Sequence, residues 1–353
     1  MKKIFLLAFL ILPLFSDSAV SMKKTELRDY VFQPHSEEGY FQGWNYFFTG
    51  SGFTIFATSL VSNLGPNDLN HGIALSIESA KTGSFFITKE YGQKDLTASK
   101  TDYSVKNYSS LFERTSEGFE IKINTDEVKL YLKYRPIWIG PVISGGKYSL
   151  AEKGRFVRAD IPFSYSPAEG YLDFKGEVIP LKGTGGMEHL LTNYEVYKYS
   201  SRWEILRSAG KDGWKLFSGG FHAKKGGGED FRTVYIQNGK GEVISSARIV
   251  SAETLESKKD PFSGYTVPSK EKLNLSDDPQ KPCTAVIEMG GLIGRINVLA
   301  NISSVLSFFV KLFFANPYII HSRSKITLEC KAKTGQDKVV FDGILSHYLI
   351  NSK

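Results

Sequence analysis

Apolar and polar residues alternate with a period of two along much of the chain, and this pattern limits the fold more than any single motif does. Trp44, Tyr46 and Phe48 share one parity, the break Gly50-Ser51-Gly52 follows, and alternation resumes at Phe53. Successive side chains of a strand point to opposite faces, so alternation on both sides of a glycine-rich break predicts an antiparallel hairpin.

A second hairpin is predicted between Phe119 and Tyr134, where Phe119–Ile123 and Val128–Tyr134 alternate around a turn at 124–127. Further strands are predicted around 71–77, 84–91, 155–161, 171–181, 200–207, 214–223, 231–236, 242–250, 325–332 and 338–349. Residues 257–282 are rich in Pro, Ser, Asp and Lys and are predicted to be loop. The chain is therefore predicted to be all-β.

One segment, Leu292–Phe314, breaks the β pattern. Its apolar residues recur at helical spacing: Leu292, Ile296, Leu299, Ile302, Leu306 and Phe309. This predicts an amphipathic helix that ends before Asn316-Pro317. Polar residues interrupt the apolar run, which argues against a membrane-spanning helix. We expect the helix to close one end of the C-terminal barrel; docking on a membrane is the alternative.

The N-terminus has the pattern of a secretory signal peptide over residues 1–21. Lys2 and Lys3 precede an apolar run, Ile4–Phe15, and small residues follow it. The alternative is a membrane anchor, but twelve helical residues span about 18 Å, which is short for a hydrocarbon core of about 30 Å. The sequence therefore predicts export to the periplasm, the outer envelope or the extracellular space.

The remaining length is enough for two domains. The turn-rich interval Ala209–Gly213 is the expected boundary, which gives an N-terminal domain at 23–208 and a C-terminal domain at 209–353. The formal net charge of +7 fits contact with anionic lipid head groups, or simply a soluble basic surface. The chain has no arginine-rich run or recognition motif, so nucleic acid is not an expected partner.

The chain has two cysteines, Cys283 and Cys330. In an exported protein an even number of cysteines permits a disulfide, which here would stabilise the fold by about 4 kcal/mol in the chain-entropy model. The alternative is two small buried apolar side chains. Cysteines so far apart do not form a zinc motif.

No motif identifies a reaction. The six histidines have no metal-ligand spacing, and no hydrolase or phosphate-binding motif occurs, so no metal and no cofactor are predicted. Glu188 and His189 are weak catalytic candidates, because a histidine next to a carboxylate can move protons near neutral pH. Neighbouring residues of a strand face opposite sides, however, which favours a structural role for His189.

Three segments together carry a resemblance to a known family. They are Gly43–Leu64 (GWNYFFTGSGFTIFATSLVSNL), Gly183–Trp203 (GTGGMEHLLTNYEVYKYSSRW) and Arg295–His321 (RINVLANISSVLSFFVKLFFANPYIIH). In order, they resemble an early aromatic hairpin, a G-x-G turn with a histidine and a closing Arg-Trp, and a late helix with Pro-Tyr. These features are similar to the AttH / CrtC (hydroxyneurosporene synthase) / survival-factor group.

The resemblance implies two tandem lipocalin-like antiparallel β-barrels around space for an apolar ligand. In such barrels core residues also line the ligand space. The expected ligand-binding residues are Trp44, Tyr46, Phe48, His189, Trp203 and Phe309. The resemblance covers hydratase-, cyclase- and pericyclase-type enzymes acting on polyenes, and also non-enzymatic lipid-handling proteins.

The leading functional hypothesis is a non-enzymatic carrier of a lipid or isoprenoid. The second is a polyene or isoprenoid hydratase or cyclase, with Glu188 or His189 as the acid. The third is a surface interaction module whose barrels are filled. A buried ionisable group at the end of a cavity would favour the enzyme, and an apolar cavity without such a group would favour the carrier.

Overall fold

The structure is a computed structural model that describes residues 23–63, 69–136, 139–142, 147–224, 229–237, 239–240, 243–276, 282–299, 316–332 and 335–350. The chain divides into two compact units, Lys23–Lys198 and Tyr199–Lys353. The first unit is called the first barrel below, and the second unit the second barrel. The predicted signal peptide lies outside the described residues.

The first barrel is a 12-stranded antiparallel sheet. Its strands are β1 (Tyr40–Gly50), β2 (Phe53–Ser62), β3 (Asn70–Ser79), β4 (Gly83–Tyr91), β5 (Leu96–Ala98), β6 (Ser104–Asn107), β7 (Ser110–Thr115), β8 (Gly118–Asn124), β9 (Val128–Tyr134), β10 (Tyr148–Ser149), β11 (Phe156–Phe174) and β12 (Glu177–Asn193). The order across the sheet is β4-β3-β2-β1-β12-β11-β9-β8-β7-β6-β5, and β10 pairs with β11. Both hairpins predicted from alternation, β1–β2 and β8–β9, are confirmed.

Side chains close the first barrel where its two edges approach each other. His71 on β3 places Nδ1 2.7 Å from Oδ1 of Asn107 on β6, and its Nε2 donates to the carbonyl of Gly92 at 3.0 Å. The amide nitrogen of Asn107 donates to the hydroxyl of Ser59 on β2 at 2.7 Å. His71, Asn107 and Ser59 are fully buried, so these bonds connect three strands away from water.

The second barrel is a 9-stranded antiparallel sheet with the order β16-β15-β14-β13-β21-β20-β19-β18-β17. Its strands are β13 (Ser200–Gly210), β14 (Lys215–Ala223), β15 (Phe231–Gln237), β16 (Val243–Arg248), β17 (Ser251–Lys259), β18 (Thr266–Asn274), β19 (Cys283–Asn297), β20 (Tyr318–Ala332) and β21 (Gly335–Leu349). The two edge strands, β16 and β17, follow one another in the chain. Between them, Ile249 donates to the carbonyl of Arg232 on β15, and Val250 donates to the carbonyl of Asn274 on β18.

A disulfide joins Cys283 on β19 to Cys330 on β20, two residues that are direct partners across the strand pair. Both cysteines are buried within the apolar core of the second barrel. Of the two alternatives left open by the sequence, the structure has the disulfide.

Regular helix is scarce among the described residues. The α-helices are α1 (Leu27–Tyr30) and α2 (Val196–Tyr199), and 3₁₀ turns occur at Gln93–Asp95 and Lys211–Gly213. Within the described part of the chain, no helix has both the length and the apolarity needed to cross a bilayer.

The predicted helix Leu292–Phe314 is wrong at its start, because Leu292–Asn297 is the end of strand β19. Leu292 and Ile296 are four residues apart, a spacing that fits one face of a helix and also one face of a strand. Leu299 is buried. The rest of the predicted helix, with Ile302, Leu306 and Phe309, lies outside the described residues.

Other details also differ from expectation. The segment 257–282, predicted to be loop, contributes the end of β17 and all of β18. The units divide between Lys198 and Tyr199, whereas the predicted boundary at 208/209 falls inside strand β13.

The predicted G-x-G turn, Gly183–Gly185, lies inside strand β12. A Cβ at Gly185 would lie 2.0 Å from the carbonyl oxygen of Phe47 and 2.7 Å from a ring carbon of Tyr134. Glycine there allows neighbouring chains to approach closely.

Candidate active site in the second barrel

The predicted ligand residues of β1 lie in a packed aromatic interior. Trp44, Tyr46 and Phe48 are fully buried. They belong to a core whose aromatic members include Tyr30, Tyr40, Phe53, Tyr103, Phe112, Phe119, Tyr134, Phe156 and Phe163. Ring centroids within this set are as close as 4.7 Å, and the Tyr46 hydroxyl donates to the Tyr103 hydroxyl at 3.0 Å. Packing is the role that these contacts show; ligand binding by the three residues stays a prediction.

His189 is held on both sides of its ring. Its Nδ1 lies 2.9 Å from Oδ2 of Asp160, and its Nε2 lies 2.9 Å from Nε2 of Gln42. The Gln42 amide has one orientation, because its oxygen accepts from the backbone N–H of Gln33 and its nitrogen donates to the carbonyl of Val31. Nε2 of His189 therefore accepts a hydrogen bond, and Nδ1 carries the hydrogen donated to Asp160.

The same polar group ties down the lead-in segment before β1. Arg158 contacts Asp160 and also forms a short ion pair with Asp29 of α1. Trp44 donates from its indole nitrogen to the carbonyl of Tyr30 at 2.6 Å. The geometry gives His189 a structural role, since both of its ring nitrogens are engaged in holding neighbouring segments together.

Glu188 does not join His189, because adjacent residues of β12 face opposite sides of the sheet. One carboxylate oxygen of Glu188 accepts from the side chain of Asn45 at 2.9 Å. The two catalytic candidates therefore do not form one site. Trp203 lies in the second unit, where its ring packs against Tyr199 and Phe221. Phe309 lies outside the described residues.

The strongest candidate site is a row of buried polar residues across the second barrel. Strand register places His347 of β21 opposite Glu204 of β13, Glu204 opposite Gly220 of β14, and Gly220 opposite Arg232 of β15. The three polar members are almost completely buried. Residues far apart in the sequence are thus neighbours because four strands align.

Gly220 is the residue that lets this row connect. Its φ is +147°, and a Cβ at this position would lie 1.9 Å from the carbonyl oxygen of Phe231. Without a side chain on β14, the guanidinium of Arg232 reaches past this strand, and one of its nitrogens donates to Oε2 of Glu204 at 2.6 Å.

Arg232 also binds a second carboxylate, Glu271 of β18, through two hydrogen bonds of 3.0 and 2.6 Å. The ligand atoms of Glu204, His222 and Glu271 lie within 4.8 Å of one another, a spacing suited to a metal ion. The guanidinium of Arg232, however, already bridges the two carboxylates. Its positive charge occupies the position and supplies the neutralisation that a cation would otherwise give.

Glu204 is held as a carboxylate. Burial is the largest single influence and opposes ionisation, but the charge of Arg232 and the other groups around the carboxylate together outweigh it and hold the pKa of Glu204 well below its usual 4.5. The contacts with His222 and His347 and the charge of Arg202 act in the same direction. His222 itself bridges Glu204 and Asp230, and although burial alone would lower its pKa, these carboxylates raise the pKa above its usual value.

His347 is the least constrained polar member of the row. Its Nδ1 lies 3.3 Å from Oε1 of Glu204, but neither ring nitrogen makes a hydrogen bond with a described residue. The ring is 1% exposed. An imidazole buried beside a carboxylate with an open nitrogen is equipped to give or take a proton.

Glu204, Arg232, Glu271 and His347 line a small pocket, with room for about one water molecule. The other walls are mostly apolar and are formed by Leu206, Ser218, Pro268, Ser269, Ile287, Met289 and Leu345. Carboxylate, guanidinium and imidazole thus meet apolar side chains in one enclosed space. A water held there would lie beside both an acid–base imidazole and a fixed carboxylate.

Another polar group lies on the opposite face of the same strands. The guanidinium of Arg207 and Nδ1 of His321 each lie 2.8 Å from the hydroxyl of Ser346. Burial lowers the pKa of His321 to about 3, and the charge of Arg207 adds to this effect. His321 is therefore neutral at physiological pH.

Sequence reasoning missed the second-barrel site. Glu204 and His347 are 143 positions apart, and neither belongs to a short motif. The sequence did contain one signal, which is a charged residue next to apolar residues in each of two predicted strands. Glu204 lies between Trp203 and Ile205, and Arg232 follows Phe231. Only the register shows that these residues meet.

Comparisons with known proteins place the fold. No protein-family model matches the chain, and no curated protein matches its sequence. Among solved structures, an AttH-type protein of Nitrosomonas europaea is 11% identical, with a TM-score of 0.63 over 94% of this chain and 98% of that one. The chain shares the fold of this AttH-type protein, as the resemblance in sequence predicted.

Two further structures agree with this assignment. Kievitone hydratase of Nectria haematococca is 11% identical, with a TM-score of 0.56 over 94% of this chain and 97% of that one. CghA in complex with Sch210972 is 9% identical, with a TM-score of 0.59 over 94% of this chain and 99% of that one. The predicted all-β architecture of two tandem barrels is confirmed.

Proposed function

We propose that the protein is an acid–base enzyme that hydrates or cyclises a hydrophobic ligand of the polyene or isoprenoid class. The observation that carries the proposal is the pair of His347 and Glu204 beside a pocket with mostly apolar walls and room for about one water, the reactant that a hydration consumes; the apolar walls would have to open to admit the double bond of the ligand. A buried ionisable pair in such a pocket is the feature that distinguishes the enzyme from a passive carrier. The similarity in fold to a protein named as a hydratase supports the proposal.

In a hydration, His347 would give a proton to one carbon of a double bond, and water would supply the hydroxyl to the other carbon. The proton lost by the water then returns to the imidazole, so the enzyme is unchanged after one cycle. Glu204, kept ionised by Arg232, would stabilise the positive charge that develops on the ligand. In a cyclisation the same proton transfer starts the reaction, and loss of a proton from the ligand ends it.

The test begins with native mass spectrometry of the protein from its expressing cells, followed by solvent extraction of any bound lipid. The extract and a panel of polyenes and isoprenoids are then incubated with the protein in isotopically labelled water. A hydratase gives a product with one labelled hydroxyl, and a cyclase gives an isomer. His347→Gln should lower the rate at least about 100-fold, as loss of a general acid does.

His321→Gln is the matched control, since His321 is also a buried histidine of the second barrel but does not line the pocket. It should retain activity. Recovery of the bound ligand unchanged, with no turnover by the wild type, would instead favour the non-enzymatic carrier of a lipid or isoprenoid. Equal turnover by His347→Gln and wild type would contradict the assignment of the site.

We further propose that the protein acts after export, in the periplasm, the outer envelope or outside the cell. The basic and apolar pattern of residues 1–21 supports this, and so does the disulfide, because disulfides persist in oxidising compartments. Cell fractionation with mass determination of the N-terminus tests it. Protein found in the cytoplasm with residues 1–21 intact would contradict it.

A further inference from the structure

The turn between β17 and β18 presents a phenylalanine to solvent. Phe262 is 74% exposed, more than any other large apolar side chain among the described residues. It lies between Lys259, the last residue of β17, and Thr266, the first of β18. All nine residues of β17 are exposed, so this strand of the hairpin is open to solvent, whereas β18 packs on the core of the second barrel.

The turn is nevertheless held in one shape. The carboxylate of Asp260 accepts hydrogen bonds from the backbone N–H and the hydroxyl of Ser263, both at 2.8 Å. Nε of Arg295 donates to the other oxygen of the Asp260 carboxylate, and the Tyr265 hydroxyl donates to the carbonyl of Asn316 at 2.6 Å. Because the turn is fixed, Phe262 stays exposed to solvent, although a phenylalanine is usually buried in the core.

Charge along β17 is divided between its two ends. Glu253 lies toward its start and Glu256 just past its middle, whereas Lys258 and Lys259 lie next to the turn. Neither lysine forms an ion pair with a described residue. The guanidinium of Arg295 lies 4.5 Å from the centre of the Phe262 ring. The one acidic side chain of the turn, Asp260, is buried and paired with Arg295.

We propose that this turn is a docking site for the surface of an anionic phospholipid bilayer. Phe262 inserts among the head groups, where aromatic side chains are favoured, and Lys258 and Lys259 face the lipid phosphates. The complementary charge favours a membrane over a neutral apolar partner. Docking would bring the second barrel to a source of hydrophobic ligand, but the inference does not depend on the proposed reaction.

The test measures how the full-length protein, purified from the cells that express it, binds to two kinds of vesicle. One kind contains phosphatidylglycerol and phosphatidylcholine, and the other contains phosphatidylcholine alone. Phe262→Ser and the double variant Lys258→Glu/Lys259→Glu should each weaken binding to anionic vesicles about tenfold or more. Binding should also fall as salt is added. Leu255→Ser is the matched control, because Leu255 is exposed on the same strand but farther from the turn.

Phe262→Trp reports on the turn itself, so an apolar segment elsewhere in the chain cannot mimic the result. Relative to the wild type, its added fluorescence should shift to the blue with anionic vesicles and be quenched by lipids that carry a quencher near the head group. Unchanged fluorescence overturns the proposal. A change in oligomeric state with Phe262→Ser, without any loss of vesicle binding, would show that the turn contacts a second copy of the chain.

Discussion

The interiors of the two barrels use buried histidine in opposite ways. In the first barrel both ring nitrogens of His189 are engaged, and the hydrogen bonds around it hold the lead-in segment to the strands. In the second barrel the Nε2 of His347 has no hydrogen-bond partner among the described residues, and its ring lines a pocket. The same residue type at similar burial is a structural tie in one case and a candidate acid–base group in the other.

The neighbouring residues explain this difference. Aromatic rings fill the first barrel, so polar groups there are bonded to one another or to backbone. The second barrel buries two carboxylates around one guanidinium and leaves space beside them. Both histidines are buried, so burial does not distinguish their roles. Whether the ring nitrogens have hydrogen-bond partners does distinguish a structural histidine from a candidate acid–base histidine.

Removal of the central charge should affect the second barrel most. Arg232→Met leaves Glu204 and Glu271 buried without their shared partner, which should lower the free energy of unfolding by about 3–5 kcal/mol. Urea unfolding, with hydrogen exchange read for each barrel, measures the effect. Lys270→Met, which removes an exposed partner of Glu288, is the control and should change little. A loss confined to the first barrel would contradict the assignment.

The disulfide offers a second contrast, since both cysteines of the chain lie in the second barrel. Replacement of Cys283 and Cys330 by Ala should lower the free energy of unfolding of that barrel by about 2–4 kcal/mol. A thiol assay on denatured, unreduced wild type should find no free thiol. Two free thiols would show that the cysteines are only buried apolar side chains, and the double variant should then leave stability nearly unchanged.

His321 should make the second barrel sensitive to acid. Its pKa falls from 6.5 in the unfolded chain to about 3 in the folded one, so between these values only the unfolded chain gains the proton. Stability should therefore fall as pH decreases below 6.5, by about 2 kcal/mol between pH 6.5 and 5.

His321→Gln should remove that part of the pH dependence, as measured by urea unfolding at each pH. Measurements above pH 5 exclude Glu204, whose depressed pKa makes its stabilising effect decrease only at lower pH. His222 acts with the opposite sign, because its raised pKa stabilises the folded state at low pH. An identical slope in wild type and variant would show that His321 is not buried as a neutral group.

Local alternation was enough to predict the hairpins β1–β2 and β8–β9, because each needs only its own residues and a turn. The same local logic failed for the ribbon β17–β18: β17 is exposed on both faces, so no side of it had to be apolar. It failed again at Leu292–Asn297, where a spacing of four residues fits both a strand and a helix. The predictions of secondary structure were wrong where the pattern of apolar residues does not distinguish the two-residue period of a strand from the 3.6-residue period of a helix.

The candidate site depends on register across four strands, and no residue within one strand determines that register. Gly220 could not be distinguished from other glycines until Arg232 was seen to cross beside it. His189 attracted attention because Glu188 precedes it, whereas the position of His347 opposite Glu204 is visible only in the sheet. The sequence alone therefore favoured His189, which has a structural role, whereas the fold identifies His347 as the candidate acid–base residue.

The smallest effect is expected for a neutral hydrogen bond in the first barrel. Tyr46→Phe removes the donor to the Tyr103 hydroxyl but keeps the ring in place, so the free energy of unfolding should fall by only about 0.5–1.5 kcal/mol. Tyr46→Phe/Tyr103→Phe should recover part of this loss, because no hydroxyl of the pair is then left unpaired in the core. Urea unfolding of the single and double variants completes the cycle. A loss as large as that of Arg232→Met would mean that the aromatic interior also depends on a polar network, and the contrast between the two barrels would then be wrong.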